Sequence, residues 1–356
     1  MKKTISMILL LCMVFALAAC GGSQAPAATE APAAEAPAAE APAAEAPAAE
    51  AEYTLGMGVV TSFNSCDTGK AQIDNTVAAV VTDAEGKIVL CRIDCPQNKM
   101  DVTDGNVTTG NEYPTKMEKG DAYGMVQFGN AIAEWDAQTK AFEEFVVGKT
   151  VAEVVGLETQ EHNGHQVAVD ETLYAGCTMD ITAFVDAFTK ACNDEYAREF
   201  TADEFKLGLT AISTVNGSTA SATADADGKA YMYTEFAAVA VDKDGKILAA
   251  LVDTIQPKID FDTKGEITNA VFNGTKKELK DDYGMRGVST IAKEWFEQAT
   301  AFEAYVIGMT AADVSAIETV ESNGHMVPTD EVLLAGCTMQ ITGYQESVVK
   351  AVENAK

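Results

Sequence analysis

Hydrophobic and polar positions along this chain change period in a fixed order, and the order occurs twice. At 78–95, "AAVVTDAEGKIVLCRIDC" sets two apolar runs around a polar D-x-[ED]-G-K turn, and "AAVAVDKDGKILAALVDT" does so at 237–254. That pattern predicts a β-hairpin in each stretch. Segments 55–63 and 207–213 read as an earlier strand, and 267–272 as a later one whose first-copy counterpart is weak. The period then becomes helical. Ile132, Trp135, Phe142, Phe145 and Val146 recur at helix spacing, as do Ile291, Trp295, Phe302, Tyr305 and Val306, with Gly148 and Gly308 as stops. A T-x-x-[ED]-V turn and an N-G-H loop follow. A closing helix is expected just after A-G-C-T, burying Ile181, Phe184 and Phe188, or Ile341, Tyr344 and Val348. The expected fold is α+β: two tandem copies of an antiparallel sheet with helices packed on one side.

The repetition extends beyond periodicity. "DAYGM" at 121–125 matches "DDYGM" at 281–285, and "EWDAQTKAFEEFVVGKTVAEV" at 134–154 matches "EWFEQATAFEAYVIGMTAADV" at 294–314. From Tyr123 to A-G-C-T the offset is a constant 160 residues. The copies are expected at 53–194 and 205–356, joined by a junction at 195–204. Each has about 145 residues, enough for its own core.

The first 52 residues have a different character. Two lysines precede an apolar run at 8–19, the layout of a secretory signal, and Leu17-Ala18-Ala19-Cys20 resembles a bacterial lipobox. The resemblance implies cleavage after residue 19 and a lipid on Cys20, hence a cell-membrane anchor on the extracytoplasmic face. Residues 20–52 form an Ala/Pro/Glu-rich tether with a five-residue E-A-P-A-A period and nothing to bury. It is expected to be disordered and to reach on the order of 90 Å when extended.

Formal charge is −29, and the tether glutamates supply only six of those charges. With no basic stripe, nucleic acid is not an expected partner. The expected partners are membrane lipid through Cys20 and redox or surface proteins. Beyond Cys12 and Cys20 six cysteines remain, at 66, 91, 95, 177, 192 and 337, and their spacing fixes neither a disulfide nor a metal site. The segment from Thr223 to Thr234 imitates a calcium loop but lacks the closing glutamate, so it reads as an acidic hairpin. Trp135 and Trp295 read as core.

Candidate chemistry lies in the shared turn. Gly176, Cys177 and Thr178, with Gly336, Cys337 and Thr338, sit where a tight glycine turn would open a helix. One account has the threonine capping that helix. Another has free backbone N–H groups there receiving a phosphate. His165 and His325 recur in the N-G-H loop and are the other ligand-binding candidates. No acid pair or nucleophile elbow argues for an enzyme.

The order of hairpin, middle helix, small-residue turn, threonine and closing helix resembles the FMN-binding domain of bacterial extracytoplasmic electron carriers. That family's signature, D-x-x-[ST]-G-A-T, falls on Ala175-Gly176-Cys177-Thr178 and Ala335-Gly336-Cys337-Thr338. The resemblance implies FMN as cofactor, esterified through its phosphate to Thr178 and Thr338, and an electron-carrying or flavin-binding role. The motif aspartate would fall at Thr172 and Val332, whereas Asp170 and Asp330 stand two residues earlier. The alternative function is a non-redox surface binding or scaffold protein in which A-G-C-T is only a helix cap.

Overall fold

The computed structural model describes residues 52–356. The signal segment, Cys20 and all but the last residue of the tether lie outside the described residues. The first copy runs β1 (Tyr53–Ser62), β2 (Lys70–Asp83), β3 (Ile88–Asp94), β4 (Gln97–Asp101), then short helices α1 (Lys116–Lys119) and α2 (Met125–Gly129). After them come α3 (Trp135–Val146), α4 (Val151–Val155), the hairpin β5 (Thr159–His162) and β6 (His165–Ala168), α5 (Glu171–Gly176) and α6 (Thr182–Cys192). The junction carries β7 (Arg198–Phe200), which pairs with β1. The second copy opens with β8 (Lys206–Val215), β9 (Gly228–Val241), β10 (Ile247–Ile255), β11 (Lys258–Phe261) and β12 (Ile267–Val271). It continues with α7 (Lys276–Leu279), α8 (Trp295–Tyr305), α9 (Ala311–Ser315), β13 (Thr319–Ser322), β14 (His325–Pro328), α10 (Glu331–Leu334) and α11 (Thr342–Glu353).

Each copy is built on one long central strand, β2 or β9. One edge of it pairs with β1 or β8. Along the other edge its second half meets β3 or β10, and its first half meets β4 or β11. All these pairings are antiparallel, as the sequence pattern requires. The helices lie on one face of each sheet only.

The other face of each sheet packs on the other copy. Alternation along β2 sends Ala78 and Val80 toward the helices and Val77, Ala79 and Val81 toward the second sheet. Along β9, Ala237, Val239 and Val241 face the helices, while Phe236, Ala238 and Ala240 meet the first copy. The continuous apolar runs of these strands follow from burial on both faces. Each copy therefore has a helix-side core of its own and shares a third core, around Leu55, Leu207, Phe236 and Leu251, with its twin. Beyond it Gly69 N–H donates to Gly265 O (2.8 Å) and Ala222 N–H to Gly105 O (2.8 Å).

The arrangement is self-complementary. Lys190 on α6 pairs with Glu278 on α7 (2.6 Å), and Lys350 on α11 pairs with Glu118 on α1; the two pairs interchange under the 160-residue offset. This is the geometry of an isologous two-fold interface, contained in one chain. These half-exposed ion pairs contribute about 0–1 kcal/mol each. A fully buried Leu, Val or Phe of the shared core contributes roughly 1.5–3 kcal/mol, so packing decides the association.

Closing helices lie directly on the first strands. A side chain at Gly56 would overlap the Ala191 carbonyl of α6, and one at Gly208 the Ala351 carbonyl of α11. The middle helices are pinned at their ends. Gly148 (φ 80°) and Gly308 (φ 81°) take the left-handed turn that stops α3 and α8. Their N–H groups donate to Ile88 O (2.8 Å) and Ile247 O (2.7 Å). Ile132 departs from its expected place. It precedes α3 and is 57% exposed, and Ile291 likewise precedes α8, because Glu134 and Glu294 occupy the N-cap positions.

The outer edges of β3 and β10 are covered by helix carboxylates. Glu143 on α3 accepts from Ile93 N–H (2.7 Å), and Glu303 on α8 from Val252 N–H (2.8 Å), so strand N–H groups facing away from the sheet are satisfied. Next to them Asp94 accepts from the N–H groups of Cys95 (2.6 Å) and Met117 (3.2 Å), and Asp253 from those of Thr254 (2.7 Å) and Lys277 (3.2 Å). Burial pushes the carboxyls of both Asp94 and Asp253 up to about 6.

Two predictions come from this packing. Gly208→Ala is expected to cost ~2 kcal/mol or more, read as a lower urea midpoint at unchanged slope; a wild-type midpoint contradicts the close contact. A folded carboxyl pKa raised above the unfolded value gives stabilisation that is complete below the unfolded pKa, near 4, and is lost as pH rises through about 6. Asp94→Asn is therefore expected to flatten that part of the stability–pH curve, and a curve parallel to wild type refutes the burial argument.

Candidate functional site

The A-G-C-T turn is built from α5 outward. Asp170 caps α5, accepting from the N–H groups of Thr172 (2.9 Å) and Leu173 (3.1 Å), and Asp330 does the same for Val332 (2.9 Å) and Leu333 (3.1 Å). The aspartates that stand two residues before the motif position are thus helix caps. Gly176 ends α5 where a Cβ would come 2.7 Å from the Ala141 Cβ on α3; Gly336 meets the Ala301 Cβ on α8 at 2.7 Å. Both glycines are there for close approach, with no left-handed backbone. Cys177 and Cys337 are fully buried in the helix-side cores, and burial raises both thiols, Cys337 to about 12. They are inert packing groups.

Thr178 and Thr338 do not cap the closing helices, contrary to the sequence expectation. Those helices begin four residues later, at Thr182 and Thr342, after Ile181 and Ile341, which give no side-chain cap. Instead Gln138 Oε1 on α3 accepts from Thr178 N–H (2.9 Å) and from its hydroxyl (3.3 Å). Gln298 Oε1 on α8 does so for Thr338 (2.8 and 3.3 Å). The Gln138 amide donates to Ala133 O (2.8 Å), and that of Gln298 to Lys293 O (3.1 Å). One glutamine therefore ties the threonine turn to the loop that leads into the helix. Both threonines are half-buried and both flanking alanines, Ala175 and Ala335, are exposed.

The N-G-H loop is a tight hairpin turn. Asn163 (φ 53°) and Gly164 (φ 83°) take left-handed conformations, as do Asn323 (φ 52°) and Gly324 (φ 82°). His165 and His325 are exposed at the hairpin tips. The hairpin runs beside the threonine turn: Ile181 N–H donates to Gln166 O (3.0 Å) and Ile341 N–H to Met326 O (3.1 Å). In the first copy Asp180 accepts from Gln166 N–H (3.0 Å) and Thr182 N–H (2.9 Å). Burial pushes the Asp180 carboxyl up, but those N–H groups and His165 outweigh it and hold it below its ordinary value. The structure thus gathers the histidine, the threonine and the start of the closing helix at one end of each copy, in the outer helical layer.

The loop before the middle helix completes this end. Glu134 accepts from the N–H groups of Met125 (2.7 Å) and Val126 (3.0 Å); Glu294 accepts from those of Met285 (2.7 Å) and Arg286 (2.5 Å). It leaves Phe128 (81%) and Val288 (85%) exposed. Glu134, Gln138, Glu294 and Gln298 escaped the sequence reading as site residues, although E-W-x-x-Q stands in both copies. Trp135 and Trp295 are buried core, against Phe184 (5.8 Å) and Tyr344 (5.7 Å). Among the described residues no group of His, Cys, Asp and Glu is placed to hold a metal ion, and no helix is long and apolar enough to cross a membrane.

No family model matches the chain, and no solved structure matches it significantly. A chlorophenol reductase of Desulfitobacterium hafniense is 35% identical over 161 residues, covering 39% of this chain and 49% of that protein. The chain spans about half the length of this curated relative.

Gln138→Leu would leave the Thr178 N–H and hydroxyl without their acceptor. The expected cost is about 1–3 kcal/mol, with faster hydrogen exchange confined to the threonine turn and its hairpin. Unchanged exchange there contradicts the clamp.

Proposed function

We propose that the chain is a lipoprotein held on the extracytoplasmic face of the membrane through Cys20, and that its two copies carry a redox ligand, FMN, at Thr178 and Thr338. One observation carries this reading: in both copies the same half-buried threonine is fixed by a helix glutamine beside an exposed histidine hairpin. The partial similarity to a protein named a reductase agrees with a redox role.

The threonine hydroxyls are the part of the site that fits the cofactor. Esterification at Oγ1 would remove one donor to Gln138 or Gln298 and leave the stronger backbone bond in place. A cradle of free N–H groups does not fit. Those of residues 177, 178, 181 and 182 in the first copy already donate to Leu173 O, Gln138, Gln166 O and Asp180. The phosphate would be held by its ester bond and not by the turn. When bound, FMN supplies one- or two-electron transfer. The exposed apolar residues Val126 and Phe128 of α2 would offer cover for an aromatic ring system.

A second reading is favoured by a specific observation. Packing of Gly176 on Ala141, burial of Cys177 and the Gln138 clamp account for every residue of the turn without a ligand. The chain would then be a non-redox surface binding or scaffold protein.

Protein purified from its native host separates the two. The first reading expects a yellow preparation whose intact mass exceeds the lipidated chain by one or two FMN units. Thr178→Ala should remove one flavin and Thr338→Ala the other, while Cys20→Ser should release the protein from the membrane fraction. Two flavins retained in the double threonine variant would refute the sites; a colourless protein with both threonines unmodified leaves the scaffold.

A further inference from the structure

A cavity of about 430 Å³ opens beside α7 in the second copy, lined among others by Lys229, Lys258, Lys276, Tyr231, Gln256 and Phe272. Its volume lies in the range of small-molecule sites. Three lysines line it in a chain whose net charge is −29, one of them, Lys258, paired with Asp260 at 3.7 Å. It is separate from the threonine turn, and nothing in the flavin reading uses it.

Lys276 is the unusual member. It is only 9% exposed, and its ammonium lies 5.1 Å from the Tyr283 ring, 5.3 Å from Trp295 and 5.6 Å from Tyr233. Three aromatic faces hold a cation that has left water. Among the described residues no carboxylate reaches salt-bridge distance of it, whereas the adjacent Lys277 pairs with Glu303 at 2.6 Å. Its acidic neighbours act on it only from beyond ion-pair distance. Asp253 accepts from two backbone N–H groups, and burial pushes the Glu235 carboxyl up although the Lys276 charge opposes it. Burial also lowers the Lys276 ammonium to about 8. A buried cation with no carboxylate in contact is costly, and an anion entering the cavity would relieve that cost.

The first copy is built differently here. Its counterpart Lys116 lies over Tyr123 (5.2 Å) and Trp135 (5.5 Å), but Asp74 replaces Tyr233 and Cys95 replaces Thr254. The Asp74 charge acts on Lys116, and Gln72 holds that carboxylate at 2.8 and 2.9 Å. In the second copy Glu235 and Asp253 act on Lys276 in the same way, without an ion pair, and only there does a cavity of this size open beside the lysine among the described pockets. We propose that this cavity binds a small organic anion, its acid group beside Lys276 and its apolar body against Tyr231 and Phe272.

The test titrates the mature chain with benzoate and, separately, inorganic phosphate, following aromatic fluorescence and melting temperature. Benzoate is expected to bind saturably, and Lys276→Met to weaken it about tenfold or more, while Lys116→Met binds as wild type does. Should Lys276→Met fail to fold, the Lys229→Ala/Lys258→Ala double variant decides: weaker binding supports the site and unchanged binding overturns it. Phosphate binding without benzoate binding overturns the organic ligand. The proposal also falls if neither probe binds at concentrations up to about 10 mM, above the roughly millimolar constant of a weak small-anion site, or if Lys276→Met binds as tightly as wild type.

Discussion

A sheet that is apolar on both faces needs two partners, and this chain supplies both. Helices cover the outer face of each sheet, and the sheet of the other copy covers the inner one. A single copy would keep its helix-side core but expose a continuous apolar face formed by Leu55, Val77, Ala79 and Val81, or by Leu207, Phe236, Ala238 and Leu251. Exposed patches of that kind drive association. The second copy is therefore a structural requirement of the first. The result is four layers, helix–sheet–sheet–helix, with the self-complementary contacts of a two-fold dimer inside one polypeptide.

That arrangement decides where function can lie. The inner faces are consumed by packing. The outer edges of β3 and β10 are closed by Glu143, Glu303 and the buried aspartates beside them. What remains is the outer helical layers and the ends of the sheets. The threonine turns lie in those outer layers, on opposite sides of the double sheet, and the lysine-lined cavity lies at the sheet end of the second copy.

Between copies, divergence is not confined to these free places: in the shared core Val77 becomes Phe236 and Val81 becomes Ala240, and in the helix-side cores Phe184 becomes Tyr344 and Phe188 becomes Val348. Other packing residues repeat: Trp135 and Trp295, Phe142 and Phe302, Glu143 and Glu303. Asp180 becomes Gln340, Asp74 becomes Tyr233 and Cys95 becomes Thr254.

Much of the fold was legible in one dimension. The period-two runs around D-x-[ED]-G-K, the helical stripe through Trp135 and Phe142, the stops at Gly148 and Gly308, and the Asn-Gly hairpins are local, so local backbone and burial rules fix them. The 160-residue offset made the duplication plain for the same reason. The roles of individual site residues were not legible. Thr178 looked like a helix cap because capping is the usual local use of a threonine after a small-residue turn, but its hydroxyl is taken by Gln138, 40 residues away. Gly176 looked like a turn residue and is a packing contact with α3. Lys276 carries no sequence signal, because its isolation comes from three rings on different segments. By itself the sequence determined the elements, their order and their repetition. Only the tertiary structure decided that the two sheets share a core and which polar groups are left without partners, since both depend on contacts between residues far apart along the chain.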